Sequence, residues 1–179
     1  LGQVKSYYFC SNFGDPMLNN DLIDMCQYSR ETAPDVHITV HTNGSARSKA
    51  WWSKLALALP KNHKVVFALD GLEDTHHLYR VGTNYETIID NARAFILAGG
   101  NAEWVFIKFK HNEHQLEDCR TLAKELGFES FHEKQTSRFI AEHHFDVYDK
   151  NGNVSYRLEE PTERKIVFVE RKTVENYKE

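Results

Sequence analysis

The chain has 179 residues, 41% hydrophobic and 27% charged, which suits one soluble globular domain with a sizeable core. Its 22 basic and 26 acidic residues leave a formal charge of −4, spread along the sequence, so no basic face for nucleic acid is indicated. No apolar run reaches the roughly 18 residues of a membrane helix and no signal-peptide pattern opens the chain, so a cytoplasmic protein without a membrane partner is expected.

In chain order, residues 4–10 read as a strand rich in Tyr and Phe. Asp15-Pro16 then signals a helix start, Asp being a favoured N-cap and Pro suiting the first helical position. Leu18, Leu22, Met25, Cys26 and Ser29 line one face of the helix expected there. Val36, Ile38 and Val40 alternate with His37, Thr39 and His41 as a second strand. Thr42-Asn43-Gly44 turns into a helix whose buried stripe includes Trp51, Trp52, Leu55 and Leu59.

Residues 64–69 form an almost wholly apolar third strand, as expected when helices cover the sheet. A loop holding Asp70, His76, His77 and Arg80 is expected next. Tyr85, Ile88, Ile89, Ala92, Phe95 and Ile96 then recur at helical spacing, and Gly99-Gly100 supplies a left-handed stop. Residues 103–109 are the fourth strand. Leu116, Cys119, Leu122, Ala123 and Leu126 mark a helix closed by Gly127, and 128–133 are the fifth strand.

Strands and helices alternating at about thirty-residue spacing are the βαβ signature of a parallel sheet with right-handed crossovers. Ligands in such sheets bind beyond the carboxyl ends of the strands, which directs attention to 11–16, 42–45, 70–80, 110–114 and 134–138. After residue 138 the pattern changes. Residues 146–158 read as a hairpin around Asn151-Gly152, Pro161 breaks it, and 166–169 are a last apolar run. Residues 1–138 are thus expected to form the core, and 139–179 a hairpin appendage and linker toward a further extension.

Cys10, Cys26 and Cys119 are too few and too scattered for a disulfide framework or a metal knuckle. Cys26 and Cys119 sit on predicted apolar stripes, where a free thiol behaves as a small hydrophobe. The ten histidines do not take the spacing of a helix-borne His-Glu-x-x-His site.

Several short motifs mark successive elements. Phe13-Gly14-Asp15-Pro16 follows the first strand, Thr42-Asn43-Gly44 the second, and Ala68-Leu69-Asp70-Gly71 the third, with His76 and Arg80 in a His-x-x-x-Arg setting behind it. Asn84 to Ala92 reads Asn-Tyr-x-x-Ile-x-x-Asn-Ala. Each is weak alone; in this order, over residues 4–134, they resemble the core barrel of radical S-adenosylmethionine (SAM) enzymes. The resemblance implies an α/β fold, a partial parallel (β/α)6 barrel of which about five strands are present.

It also implies a SAM site drawn from Gly14, Asp15, Pro16, Asn43, Asp70, Arg80 and Lys110. The ammonium of SAM needs acceptors, which Asp15 and the carbonyls around Gly14 could supply; a glycine lets the backbone approach closely. The carboxylate needs a cation, and Arg80 offers a planar bidentate fork. Asp70 suits the ribose hydroxyls, with Asn43 and Lys110 at the same end of the sheet. From the residues alone, Asp15-Pro16 is also a plain cap, Asp70-Gly71 also a plain turn, and Arg80 also a surface cation.

The family reaction is reductive cleavage of SAM at a [4Fe–4S] cluster to a 5′-deoxyadenosyl radical that abstracts hydrogen from substrate. A peptide is a candidate substrate and a flavodoxin or ferredoxin a candidate electron donor. Two departures stand out. The Ser common in the family's motif at this position is Ala68. The Cys-x-x-x-Cys-x-x-Cys segment that holds the cluster is not in this sequence, so it is expected upstream of Leu1, and the chain alone is expected to be inactive. A barrel-type metal-dependent hydrolase using Asp70 and nearby histidines, and a non-catalytic module with a SAM-like pocket, are the alternative readings.

Overall fold

The computed structural model describes residues 4–10, 14–60, 62–139 and 143–163. Among them β1 (Ser6–Phe9), β2 (His37–Thr42), β3 (His63–Ala68), β4 (Ala102–Ile107) and β5 (Ser130–Lys134) form one sheet in sequential order. Every neighbouring pair is parallel. The crossovers carry α1 (Leu22–Thr32), α2 (Lys49–Ala58), α3 (Glu73–Tyr79), α4 (Tyr85–Leu97) and α5 (Leu116–Leu126). The expected partial parallel α/β barrel is present.

Strand side chains alternate between two faces. On one, Ile38, Val40, Val65, Phe67, Trp104 and Phe106 are buried with Trp52, Leu55, Ile88 and Phe95 of the helices. Aromatic rings fasten this layer: Trp52 lies 5.1 Å from Phe67, and Phe128 lies 5.8 Å from Phe67 and 5.4 Å from Trp104. Fully burying each such side chain contributes about 1.5–3 kcal/mol. The register puts Tyr8 beside Thr39, His41 beside Val66, Ala68 beside Val105 and Ile107 beside Lys134 on the other, concave face.

Local chemistry sets the helix ends. Ser48 caps α2 by accepting from Trp51 N, Asn84 caps α4 by accepting from Thr87 N at 2.8 Å, and Gly127 closes α5 with φ of 87°.

Asp15-Pro16 departs from expectation. It opens only a 3-10 turn, Pro16–Leu18, and the helix proper begins at Leu22. Asn19 leaves the turn in an extended conformation, and its Oδ1 accepts from Asp21 N at 3.0 Å, which restarts the chain as a helix. The stripe shifts accordingly: Leu22 and Cys26 are fully buried, whereas Leu18 is 64% and Met25 42% exposed. A second departure is α3, which occupies what was expected to be loop.

The hairpin, β6 (His144–Tyr148) and β7 (Val154–Glu159), is antiparallel, with Gly152 at φ of 82° in its turn. Asp149 Oδ1 accepts from the backbone of Asn151 at 2.8 Å and Asn153 at 2.9 Å, and these bonds hold its carboxyl below the usual range. The hairpin is docked rather than free. Val147 and Leu158 bury against Phe109 and Phe139, and Tyr156 OH donates to Leu78 O at 2.7 Å. It therefore lies beside the carboxyl end of β4. Phe13 and the apolar run 166–169 fall outside the described residues.

The Thr42-Asn43-Gly44 turn is fitted to the core. Gly44 has φ of 73°, and a Cβ there would sit 2.8 Å from Phe67 Cδ1 and 2.9 Å from Ile88 Cγ2. Gly44→Ala is expected to lose about 2 kcal/mol or more in urea unfolding, from left-handed strain plus overpacking. A loss below about 0.5 kcal/mol would show that strain and contact are both relieved by small shifts.

Candidate functional site

The carboxyl ends of the strands open on a cavity of about 570 Å³. Its walls come from β2 to β5 and the loops at that end of the sheet: Cys10, Gly14, Asp15, His41, Thr42 and Asn43 on one side, Val66, Ala68, Val105 and Ile107 in the middle, and Arg80 and Lys134 on the other. Of the residues implied by sequence, Gly14, Asp15, Asn43 and Arg80 meet here. Pro16, Asp70 and Lys110 do not line it.

Asp15 ties the first motif to the second. Its carboxylate accepts from Met17 N at 3.0 Å, from the Thr42 hydroxyl at 2.9 and 3.0 Å, and from Asn43 N at 2.8 Å. The cap and the site are one structure. Thr42 Oγ1 in turn accepts from Gly44 N at 2.9 Å, while Asn43 Oδ1 accepts from Ser45 N at 2.9 Å and the Ser45 hydroxyl at 2.6 Å. Among the described residues the amide nitrogen of Asn43 makes no hydrogen bond. Pro16 contributes by fixing the first residue of the 3-10 turn that Asp15 caps.

Two residues given no role in the sequence reading, one of them the second Asn of the Asn84–Ala92 motif, hold this rim. Asn91, buried in α4, donates to Gly44 O at 2.9 Å and Ala46 O at 3.3 Å. Its signal was an Asn among the apolar positions Ile88, Ala92 and Phe95. Arg47, at φ of 71°, donates to Met17 O at 2.6 Å, Leu18 O at 3.1 Å and Asn20 Oδ1 at 2.8 Å, clamping the 3-10 turn. Nothing in the sequence marks a non-glycine left-handed residue.

Asp70 corrects the expectation of a ribose acceptor. It is fully buried, its Oδ2 accepting from Arg80 Nε at 2.6 Å and its Oδ1 from Ile107 N at 2.5 Å. Burial pushes its carboxyl up; Arg80 and the Ile107 N–H pull it back. Arg80 caps the end of α3 and borders the cavity, and its two terminal NH2 groups have no hydrogen-bond partner among the described residues. The carboxylate thus orients the guanidinium through Nε and leaves the outer fork free.

Behind this pair, Asp70 N donates to His76 Nδ1 at 3.1 Å, so Nε2 carries the ring proton and donates to Thr83 Oγ1 at 3.0 Å. The Thr83 hydroxyl donates to Arg80 O at 2.6 Å. Asn112 Nδ2 donates to Asp70 O and Ile107 O, each at 3.0 Å, and Gln115 Oε1 accepts from Leu72 N at 2.9 Å and the Thr75 hydroxyl at 2.5 Å. These partners also leave Asp70 and His76 without free donor atoms for the metal centre of the hydrolase reading.

Lys110 is corrected too. Its Nζ pairs with Glu159 of β7, in a separate hollow with His143, His144 and Arg157. The docked hairpin takes it from the cavity.

The SAM chemistry fits what remains: a negative charge at Asp15, an amide at Asn43 and a free guanidinium fork at Arg80. An iron–sulfur cluster does not fit. Cys10 is exposed, whereas Cys26 and Cys119 are buried in separate helices with their thiols pushed up to about 12 by burial. Among the described residues no group of three or more His, Cys, Asp or Glu could hold a metal ion.

Burial lowers His76 from 6.5 to about 4, with Arg80 and His77 adding to the effect. The unfolded chain takes up this proton below about 6.5 and the folded chain only below about 4, so stability falls as pH drops through that window. Relative to His76→Gln, wild type is expected to lose about 3 kcal/mol between those pH values in urea unfolding. A pH-independent difference between the two would refute the neutral, buried imidazole.

No protein-family model matches the chain, and no curated protein matches it in sequence. Solved structures match its fold. Streptococcus suis SuiB bound to S-adenosylmethionine aligns with a TM-score of 0.62 at 18% identity, over 76% of this chain and 31% of that one. SuiB was also solved bound to the precursor peptide SuiA, with the same score and identity over 74% and 29%. The anSMEcpe structure with bound AdoMet aligns at 0.58 and 14%, over 81% and 38%. TYW1 with a lysine–pyruvate adduct bound aligns at 0.56 and 14%, over 90% and 58%. The chain spans less than two thirds of each of these proteins. They are radical SAM enzymes, and five parallel strands of a partial α/β barrel, with the cavity at their carboxyl ends, give this chain the radical SAM-type fold.

Proposed function

We propose that this chain is the SAM-binding part of a radical SAM enzyme. The observation that carries the reading is the Arg80 fork, oriented by a buried carboxylate and open toward a cavity bordered by Gly14, Asp15 and Asn43. Arg80 pairs with the carboxylate of SAM, and the backbone at Gly14 together with the charge of Asp15 receives the ammonium. The Asn43 amide donates to a further acceptor of the cofactor. Asp70 acts through Arg80, and Pro16 through Asp15. When bound, the cofactor supplies hydrogen-atom abstraction; the chain's part is to bind, orient and exclude water.

Val66, Ala68, Val105 and Ile107 give the cavity an apolar middle, which keeps water from a reactive intermediate. The iron–sulfur ligands come from outside the described residues, and the reducing electron from a flavodoxin- or ferredoxin-type donor. Residues 1–138 carry the pocket, and the hairpin after them docks beside it. The peptide bound to SuiB supports a peptide substrate. The cytoplasm is the compartment proposed.

Calorimetric titration of the 179-residue chain with SAM tests the reading. Binding is expected, and Arg80→Ala should weaken it about 10- to 100-fold, the cost of a charge-assisted hydrogen bond. Arg80→Lys keeps the buried charge opposite Asp70 but cannot serve two partners with a planar fork, so it should fold and still bind weakly. SAM affinity unchanged in both variants would sink the proposal.

A further inference from the structure

One ammonium that borders the cavity has no counter-ion beside it among the described residues. Asp15 is met by three donors and Arg80 by Asp70. Lower on the concave face, Lys64 pairs with Glu103 at 3.1 Å. Lys134, at the end of β5, borders the cavity, and its ammonium makes no ion pair or hydrogen bond among the described residues. Across the sheet on β2, the His41 imidazole lines the same cavity. Burial lowers its basicity most, Lys134 and Lys64 lower it further, and Glu103 opposes them. His41 on β2 and Lys134 on β5 thus border the same cavity, with β3 and β4 between them.

This unpaired ammonium matters because SAM brings a sulfonium and, at neutral pH, a net positive charge. A bare ammonium beside a cationic cofactor repels it in a partly desolvated cleft. Repulsion turns to attraction once the second ligand carries a negative charge. Between the two basic groups lie Val66, Val105 and Ile107, which suit an apolar body rather than a sugar or a phosphate-rich one.

We infer that Lys134 and His41, with this apolar wall between them, form the subsite for a carboxylate on an otherwise apolar substrate. Lys134 supplies the counter-charge and His41 an imidazole N–H donor. The inference rests on assigning Arg80 to the carboxylate of SAM.

The test is an NMR titration of the full chain with hexanoate, an aliphatic carboxylate, following the His41 ring and the methyl groups of Val66, Val105 and Ile107. Hexanoate should shift these methyls and raise the His41 pKa by about one unit, as a nearby anion does. Lys134→Gln should raise the His41 pKa of the free protein and weaken hexanoate about tenfold, whereas Lys54→Gln, on the outside of α2, should change neither. No methyl response, or one that survives Lys134→Gln, overturns the subsite. Binding of inorganic phosphate without hexanoate overturns the carboxylate assignment. SAM titrated into the same samples separates the two proposals. Lost SAM affinity in Lys134→Gln would make Lys134 the cofactor's anchor and overturn the inference. Absent SAM binding with the hexanoate response intact would remove only the proposed function.

Discussion

The buried pair of Asp70 and Arg80 is the constraint on which the cavity depends. A carboxylate sealed in the barrel wall is costly unless it is paired with a cation and hydrogen-bonded. Here the donors are the guanidinium of Arg80 at the end of α3 and the backbone of Ile107 at the end of β4. One side chain thereby fixes the relative positions of the ends of β3, β4 and α3. His76, Thr83 and Asn112 satisfy the peptide groups around it, so the loop after β3 has little freedom to swing Arg80 away. Breaking such a pair from one side leaves an uncompensated buried charge, which is why the arrangement behaves as a unit.

The opposite rim is built the same way with different chemistry. Asp15 gathers donors from its own turn and from the end of β2, Asn91 holds the carbonyls of Gly44 and Ala46, and Arg47 ties the 3-10 turn to that loop. Most polar atoms of the motifs are spent on one another. That division follows from the loops themselves: they carry little apolar surface, so backbone hydrogen bonds must give them shape. Few groups remain to meet a ligand, and those few are held in place before it arrives.

How much of this the sequence disclosed depends on the physical signal each feature leaves. The strands and the long helices were legible because apolar residues recur with period two or 3.6, and their order followed from the handedness of βαβ crossovers. The short helix α3 left no such trace: its buried residues are Thr75 and His76, which read as loop. Asp15 was correctly read as a cap, yet a cap does not say how long the helix will be, and the extended Asn19 ended this one after three residues. The motifs located the rim but not the roles. Asp70 reads identically whether it faces ribose or the barrel wall, because burial arises from tertiary packing. Lys110 was misplaced for a related reason, since the hairpin that claims it lies about fifty residues downstream.

The concave face also has an order that single motifs conceal. Its base is closed by Lys64 and Glu103, with His132 at 4.0 Å from the same carboxylate. Above them come the alternating apolar positions of β3 and β4, and only at the carboxyl ends do polar groups return. An ion pair at the base neutralises its own field and keeps charge out of the middle layer. The polar groups at the mouth then act across a low-polarity gap, where a single unpaired charge is felt more strongly than it would be in water. The mouth thus sets the cations of Arg80 and Lys134 on one side of this apolar layer and the Asp15 carboxylate on the other.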